Sequence, residues 1–283
     1  MPPWGAASRC ARSSPGASAG VSFAPMRILS LNANGIRAAA RKGFFDWLPE
    51  VGADVVCLQE TKARPEQLSE ALREPSGYHA YFASAERRGY SGVAVFSRRE
   101  PQYVSRLGIT QFDDEGRVLV LEYPEFTLIG AYFPNSQDGG RRLEYKLEFC
   151  HAVKRLTDEL VDAGRHVVVS GDYNIAHRPI DLARPDENEG SAGYLPEERA
   201  WMDEFTSAGY IDTFRAFTAE PHHYTWWSYR ASARRRNIGW RIDYHCVDEG
   251  LRSQLERSVI RPEIEGSDHC PVELVLSLGQ ENE

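Results

Sequence analysis

Between positions 26 and 278 the chain alternates short apolar, β-branched runs with helical patterns, and the ratio of the two constrains the fold more than any other feature. Eleven runs read as strands: 26–32, 54–59, 78–83, 91–97, 118–123, 126–133, 166–171, 223–229, 240–247, 256–261 and 271–278. Only four stretches, 36–49, 65–73, 141–163 and 196–208, place apolar residues near every third or fourth position, as an amphipathic helix requires. So many strands to so few helices do not suit a doubly wound parallel sheet. The pattern predicts an α/β chain of two sheets packed face to face with helices on their outer faces. No Pro/Gly/Ser linker and no repeat interrupts the pattern, so residues 26–279 are expected to form a single domain. Residues 1–25, rich in Ala, Ser, Gly and Pro, read as a disordered tail without the apolar core of a signal peptide, and 280–283 as the C-terminal end. Met26, which opens the first strand pattern, is the expected natural start.

Several classes of function drop out. No apolar run approaches the ~20 residues that span a bilayer, so no membrane association is expected. Five cysteines, Cys10, Cys57, Cys150, Cys246 and Cys270, lie scattered without paired spacing, which suits a reducing compartment and a cytoplasmic location. No Gly-x-Gly and no Gly-Lys occurs, which removes dinucleotide fingerprints and P-loops. Gly89-Tyr90-Ser91-Gly92 lacks the spacing of a nucleophile elbow. Lys and Arg number 33 against 41 Asp and Glu, a net charge of −8 that argues against coating nucleic acid by bulk charge.

What remains is a set of four polar clusters at the ends of apolar runs: Asn32-Ala33-Asn34, Gln59-Glu60, Gly171-Asp172-Tyr173-Asn174 and Ser267-Asp268-His269. Each has a purely structural reading. Asn34 can cap a helix, Asp268 a turn, and Asp172 to Asn174 can form an Asx-turn. Together, converging at one edge of a sandwich, Glu60, Asp172 and Asp268 with the amides of Asn32, Asn34 and Asn174 form the oxygen-rich set that a hard divalent ion such as Mg²⁺ takes. Such an ion polarises a phosphoryl oxygen, and His269 beside a carboxylate can donate to developing charge.

The runs SLNANGIRAAARKGFFDWL, LQETKA, GYSGVAVFSR, YFPNS, GDYNIAH, GWRIDY and GSDHCPVEL, collinear over about 26–278, resemble the exodeoxyribonuclease III and apurinic/apyrimidinic endonuclease family, within the endonuclease/exonuclease/phosphatase superfamily. The resemblance implies a four-layered α/β sandwich, two packed mixed β-sheets flanked by helices. It also implies a DNA-repair nuclease that incises 5′ to abasic sites and cleans 3′ ends as a 3′→5′ exonuclease. The alternative is a superfamily phosphatase or an RNA 3′ nuclease. Implied cofactor is Mg²⁺, with Mn²⁺ as substitute, as one ion or two; implied partner is double-stranded DNA with abasic sites or damaged 3′ ends, bound by a monomer. Position by position, Glu60 resembles the principal metal ligand, with Asn32, Asn34 and Asp268 assisting and Asp172, Asn174 and His269 completing the set. Asp172 resembles the residue that positions or deprotonates the attacking water, Asn174 its partner, His269 a phosphate-contacting imidazole oriented by Asp243, and Tyr132 a phenol near the scissile phosphate. The identity of the formal base stays open between Asp172 and His269.

Trp226, Trp240 and Ile242 match positions that form an apolar pocket for an extruded abasic sugar, whereas Trp227 is expected in the core. Gly89, Tyr90, Asn135, Asn188 and Arg230 match DNA-contacting positions. Arg230, Arg234, Arg235, Arg236 and Arg241 put five arginines within twelve residues, expected to act as a phosphate clamp that Arg37, Arg41, Lys42, Arg87 and Arg88 extend. Two departures from the resemblance predict weaker or more salt-sensitive binding: Gln137-Asp138 after YFPNS, and the acidic loop 185–191.

Overall fold

A computed structural model of the chain describes residues 25–278; the expected tail, apart from Pro25, and the C-terminal end lie outside the described residues. Twelve strands form: β1 (Met26–Asn32), β2 (Val55–Gln59), β3 (His79–Ala83), β4 (Val93–Ser97), β5 (Tyr103–Ser105), β6 (Val118–Glu122), β7 (Thr127–Tyr132), β8 (Val167–Asp172), β9 (Tyr210–Asp212), β10 (Asp243–Asp248), β11 (Leu255–Ile260) and β12 (Val272–Leu276). The helices are α1 (Ile36–Arg41), α2 (Phe44–Val51), α3 (Glu70–Arg73), α4 (Thr110–Asp113), α5 (Leu143–Asp162), α6 (Pro196–Ser207) and α7 (Thr213–Phe217).

The strands divide into two mixed six-stranded sheets, ordered β11-β12-β1-β2-β4-β3 and β5-β6-β7-β8-β10-β9. Each has one parallel pair at its centre, β1 with β2 and β7 with β8, and antiparallel neighbours elsewhere. Strand alternation sorts the apolar residues into layers. Ile28, Val55, Cys57, Val95, Leu128, Val168 and Val247 meet between the sheets. Leu29, Leu31, Val56, Leu58 and Phe96, on the opposite face, pack under Ile36, Phe44 and Leu48 of α1 and α2. Ile129, Val167, Val169 and Cys246 pack under Phe149 and Val153 of α5 and Trp201 and Phe205 of α6. The expected helix–sheet–sheet–helix sandwich is therefore present.

Several expected boundaries move. The helix expected over 36–49 breaks in two at Gly43, whose φ of 87° an L side chain rarely adopts. The one expected over 65–73 reduces to a single 3₁₀ turn, Pro65–Gln67, and the short α3. Residues 223–229 form no strand; Trp226 makes isolated bridges to Trp240 and His269 instead, and the strand expected from 240 begins at Asp243. The edge strands β5 and β9, three residues each, were too short to carry an alternation signal.

Candidate active site

Strand polarity brings the polar clusters to one edge. Asn32 ends β1, Glu60 directly follows β2, Tyr132 ends β7 and Asp172 ends β8, while antiparallel β10 begins there with Asp243. Register places Tyr132 and Asp243 on either side of Asp172. Asp268 and His269 arrive on the segment before β12.

A continuous hydrogen-bond network follows. The Asn32 amide donates to Glu60 Oε1 at 2.9 Å and to Asp172 Oδ2 at 2.8 Å, joining the two sheets. Tyr132 donates its hydroxyl to the same Glu60 oxygen at 2.8 Å. Asn34 donates to Asp268 Oδ1 at 2.9 Å, and the Trp226 indole donates to Asp268 Oδ2 at 3.1 Å. Asn174 gives its backbone N–H to Asp172 Oδ1 at 2.8 Å and its amide to Asp172 Oδ2 and Phe133 O; its Oδ1 accepts from Asn135. His269 Nδ1 lies 2.9 Å from Asp243 Oδ2, and both side chains are buried. Asn34, Glu60, Lys62 and Asn174 all have left-handed backbone, φ 44–51°, which costs a non-glycine residue of order 1–3 kcal/mol. Of the purely structural readings, the Asx-turn at Asp172 is met, since its Oδ1 accepts from Asn174 N, whereas Asn34 caps no helix. Gly35 holds the N-cap position of α1 without a side-chain cap, and the Asn34 amide goes to Asp268, whose two oxygens accept from the side chains of Asn34 and Trp226.

Electrostatics separate the carboxylates. Burial and the neighbouring Asp243 push Asp172 above the usual carboxylate range. Burial also works to raise Glu60, but Lys62 and the donated hydrogen bonds outweigh it and hold Glu60 low. Asp268 is likewise held low against burial, chiefly by His269. Burial pulls His269 down, while Asp243, Asp172 and Asp268 together outweigh it and keep the imidazole protonated. Burial and the Glu60 and Asp172 charges raise the Tyr132 phenol well above its ordinary value.

The donor chemistry fits a hard cation. The Lys62 ammonium stands 2.6 Å from both Glu60 Oε2 and Asn34 Oδ1, a positive charge already held by the oxygens proposed for a metal. Asp172, Asp243 and His269 place one ligand atom each within 4.8 Å of one another, and Asp243 Oδ1 is buried without a hydrogen-bond partner among the described residues. The amides of Asn32 and Asn174, in contrast, are oriented as struts: each donates to a carboxylate, and each Oδ1 accepts within the protein.

Beside Asp268, Trp226, Trp240 and Ile242 join Ala176, Leu182 and Tyr194 in a small apolar cluster, while Trp227 is buried as expected. Tyr90 is tied to the site through Arg117, which donates to the Tyr90 hydroxyl at 3.0 Å and to the Tyr132 carbonyl at 3.0 Å. Gly89, Asn135 and Arg230 are exposed; among the described residues the Asn188 side chain bonds its own loop alone, through Arg184 O. The arginine clamp is corrected. Arg241 is buried, its guanidinium saturated by Asp181 and Asp212, and Arg234 donates to the carbonyls of Pro262, Ile264 and Ser267 while stacking on Trp227. Arg230, Arg235 and Arg236 stay exposed. Two acids of the 185–191 loop are paired, Glu187 with Arg184 and Glu189 with Arg199. Sequence reasoning missed Lys62 and Arg117; only the spacing of Lys62, two residues after Glu60, offered a signal.

A family model described as the endonuclease/exonuclease/phosphatase family matches residues 29–269. An exodeoxyribonuclease of Bacillus subtilis is 43% identical over 256 residues, 89% of this chain and all of that protein. The Danio rerio DNA repair nuclease APEX1 is 39% identical over 90% of this chain and 83% of its own length. The crystal structure of an AP endonuclease from Leishmania major superposes with a TM-score of 0.82 at 27% identity, covering 90% of this chain and 88% of that one.

Proposed function

The chain belongs to the endonuclease/exonuclease/phosphatase family, and from that premise we propose that it is a divalent-metal-dependent phosphodiesterase of DNA base-excision repair. It incises duplex DNA 5′ to abasic sites, leaving a 3′-hydroxyl, and removes nucleotides or blocking groups from 3′ ends. The observation that carries this reading is one hydrogen bond: Trp226 of the apolar cluster donates to Asp268 of the carboxylate cluster at 3.1 Å, so an aromatic, apolar patch suited to a sugar abuts carboxylates suited to phosphate chemistry. The B. subtilis exodeoxyribonuclease and the D. rerio DNA repair nuclease, as relatives, support it. A nucleotide without a base is the cheapest to extrude from the stack, and the indoles would exclude an intact base by size.

The residues divide the reaction between them. Asp172, fixed by Asn32 and Asn174 and raised by burial, is placed to orient water and accept its proton. Asp243 holds Nδ1 of His269, which leaves Nε2–H to donate to a phosphate oxygen as charge develops. Tyr132, whose phenol keeps its proton, donates toward the scissile phosphate or the departing 3′-oxygen. Glu60 and Asp268, with Asp172 and Asn34, would hold one or two ions, Mg²⁺ or substituting Mn²⁺, while the amides of Asn32 and Asn174 brace the carboxylates; such an ion would neutralise charge on phosphoryl and leaving oxygens. We assign this work to a single domain acting as a cytoplasmic monomer; among the described residues no helix is long and apolar enough to cross a membrane.

A labelled duplex set with an abasic site, a recessed 3′ end, a 3′-phosphate or an intact strand, incubated with and without Mg²⁺, tests the reading. Mg²⁺-dependent incision confined to the 5′ side of the abasic site, with slower 3′ trimming, is expected. Equal cleavage of intact and abasic strands, or phosphate release or RNA trimming alone, would favour the superfamily alternative.

A further inference from the structure

Lys146 of α5 and Glu198 of α6 form an ion pair whose side chains have no exposed surface, on helices that carry none of the groups assigned above. Lys146 Nζ donates to Glu198 Oε1 at 2.6 Å and, at the same length, to the backbone carbonyl of Asn174. The second Glu198 oxygen accepts from Leu195 N at 2.9 Å, which anchors the carboxylate to the start of its own helix. Taking two charges out of water costs several kcal/mol per ion before their attraction offsets it, and apolar replacements are often neutral. Phe149, Val153, Trp201 and Met202 fill the rest of this layer without charge. The pair is therefore an expensive way to join two helices.

Its third partner distinguishes it. Asn174 is held at φ 51°, and in that conformation its backbone N–H and its amide both reach Asp172. Among the described residues, Lys146 is the hydrogen-bond donor to the Asn174 carbonyl, and Gly193 packs so close that a Cβ there would lie 3.1 Å from that oxygen. A carbonyl pinned on one side by an ammonium and on the other by backbone fixes the peptide plane, and with it the left-handed turn.

We propose that Lys146, held in place by Glu198, is a positioning residue for Asn174 and, through it, for the Asp172 carboxylate. The proposal rests on the reading that these two groups act in phosphodiester hydrolysis. The variant Lys146→Met with Glu198→Gln removes both charges together and leaves no lone buried ion. On abasic duplex its kcat should fall about 10- to 100-fold, as when an outer partner of a site residue is lost, with KM changed by less than about twofold. Lys146→Arg, which keeps donor and charge, should retain most of the rate. In an Asn174→Ala background, which removes the amide but keeps the backbone N–H to Asp172, the same two substitutions should lower kcat by a smaller factor than in the wild-type background, because one of the two groups they position is gone. An equal fall in both backgrounds would overturn the proposal. So would a metal-free crystal structure of the double variant in which Asn174 keeps its left-handed backbone and its contacts to Asp172. Should the wild-type chain cleave none of the DNA substrates, the proposed reaction fails, and that crystal structure decides the positioning role alone.

Discussion

Asp172 is the residue on which most of the site depends, since Asn32 from the other sheet and Asn174 from the turn that follows its own strand both donate to it. Asp172→Asn keeps the shape and removes the proton acceptor; single-turnover incision at saturating Mg²⁺ should slow by about 10²- to 10⁴-fold, the usual worth of a positioned acid or base. Glu60→Gln should weaken Mg²⁺ binding as well, read by the metal concentration at half-maximal rate. Away from the site, His245 shares a strand face with Val247 between the sheets; its Nε2 lies 3.1 Å from Val272 O and its Nδ1 has no partner among the described residues. Burial lowers its pKa from 6.5 to about 4. The unfolded chain therefore takes up this proton first, so stability is intact above about pH 6.5 and declines as pH falls toward 4, by on the order of 3 kcal/mol in all. Urea unfolding of wild type and His245→Gln across that window should show the steeper loss in wild type; parallel curves would contradict the assignment. At this scale the sequence was readable where an apolar strand gives way abruptly to carboxylate or amide, as at Asn32, Glu60 and Asp172. It was unreadable at Arg241, Lys146 and Glu198, because a charged residue is ordinarily exposed and its burial is decided by partners far along the chain.

Among elements, the pairing of β7 with β8 sets the spacing of Tyr132 and Asp172, and Gly171 permits it. A Cβ at 171 would meet the Ala131 carbonyl at 1.8 Å, backbone that cannot swing aside. Gly171→Ala should therefore part the two strands beside the site, costing about 1–3 kcal/mol in urea unfolding. Incision should fall too, although no assigned side chain is touched; full activity with an unchanged midpoint would sink the argument. The long helices α5 and α6 and most strands were legible because their period repeats over many residues. The break at Gly43 and the irregular path of 223–229 were not, since the first depends on one backbone angle and the second on bridges from Trp226 to Trp240 and His269, residues remote in sequence.

For the molecule as a whole, the net charge of −8 hides a division of labour. Asp181, Asp212, Glu115 and Glu198 are consumed by internal pairs with Arg241, Arg215, Arg117, Arg142 and Lys146. Arg37, Arg41, Lys42, Arg87, Arg88, Arg230, Arg235 and Arg236 remain exposed. If about four to six of these meet phosphates, affinity for abasic duplex should drop roughly 10²- to 10³-fold between about 50 and 200 mM salt. A titration with a slope near zero would show that the exposed basic residues do not touch the backbone. Composition alone could not reveal this, because counting charges says nothing about which of them have partners. The left-handed backbone at Asn34, Glu60, Lys62 and Asn174 carries its own consequence for descent. Glycine would relax all four. A lineage selected only for surviving heat would drift toward glycine there and grow hardier as its reaction faded, so wherever these four residues persist, selection has been acting on the chemistry.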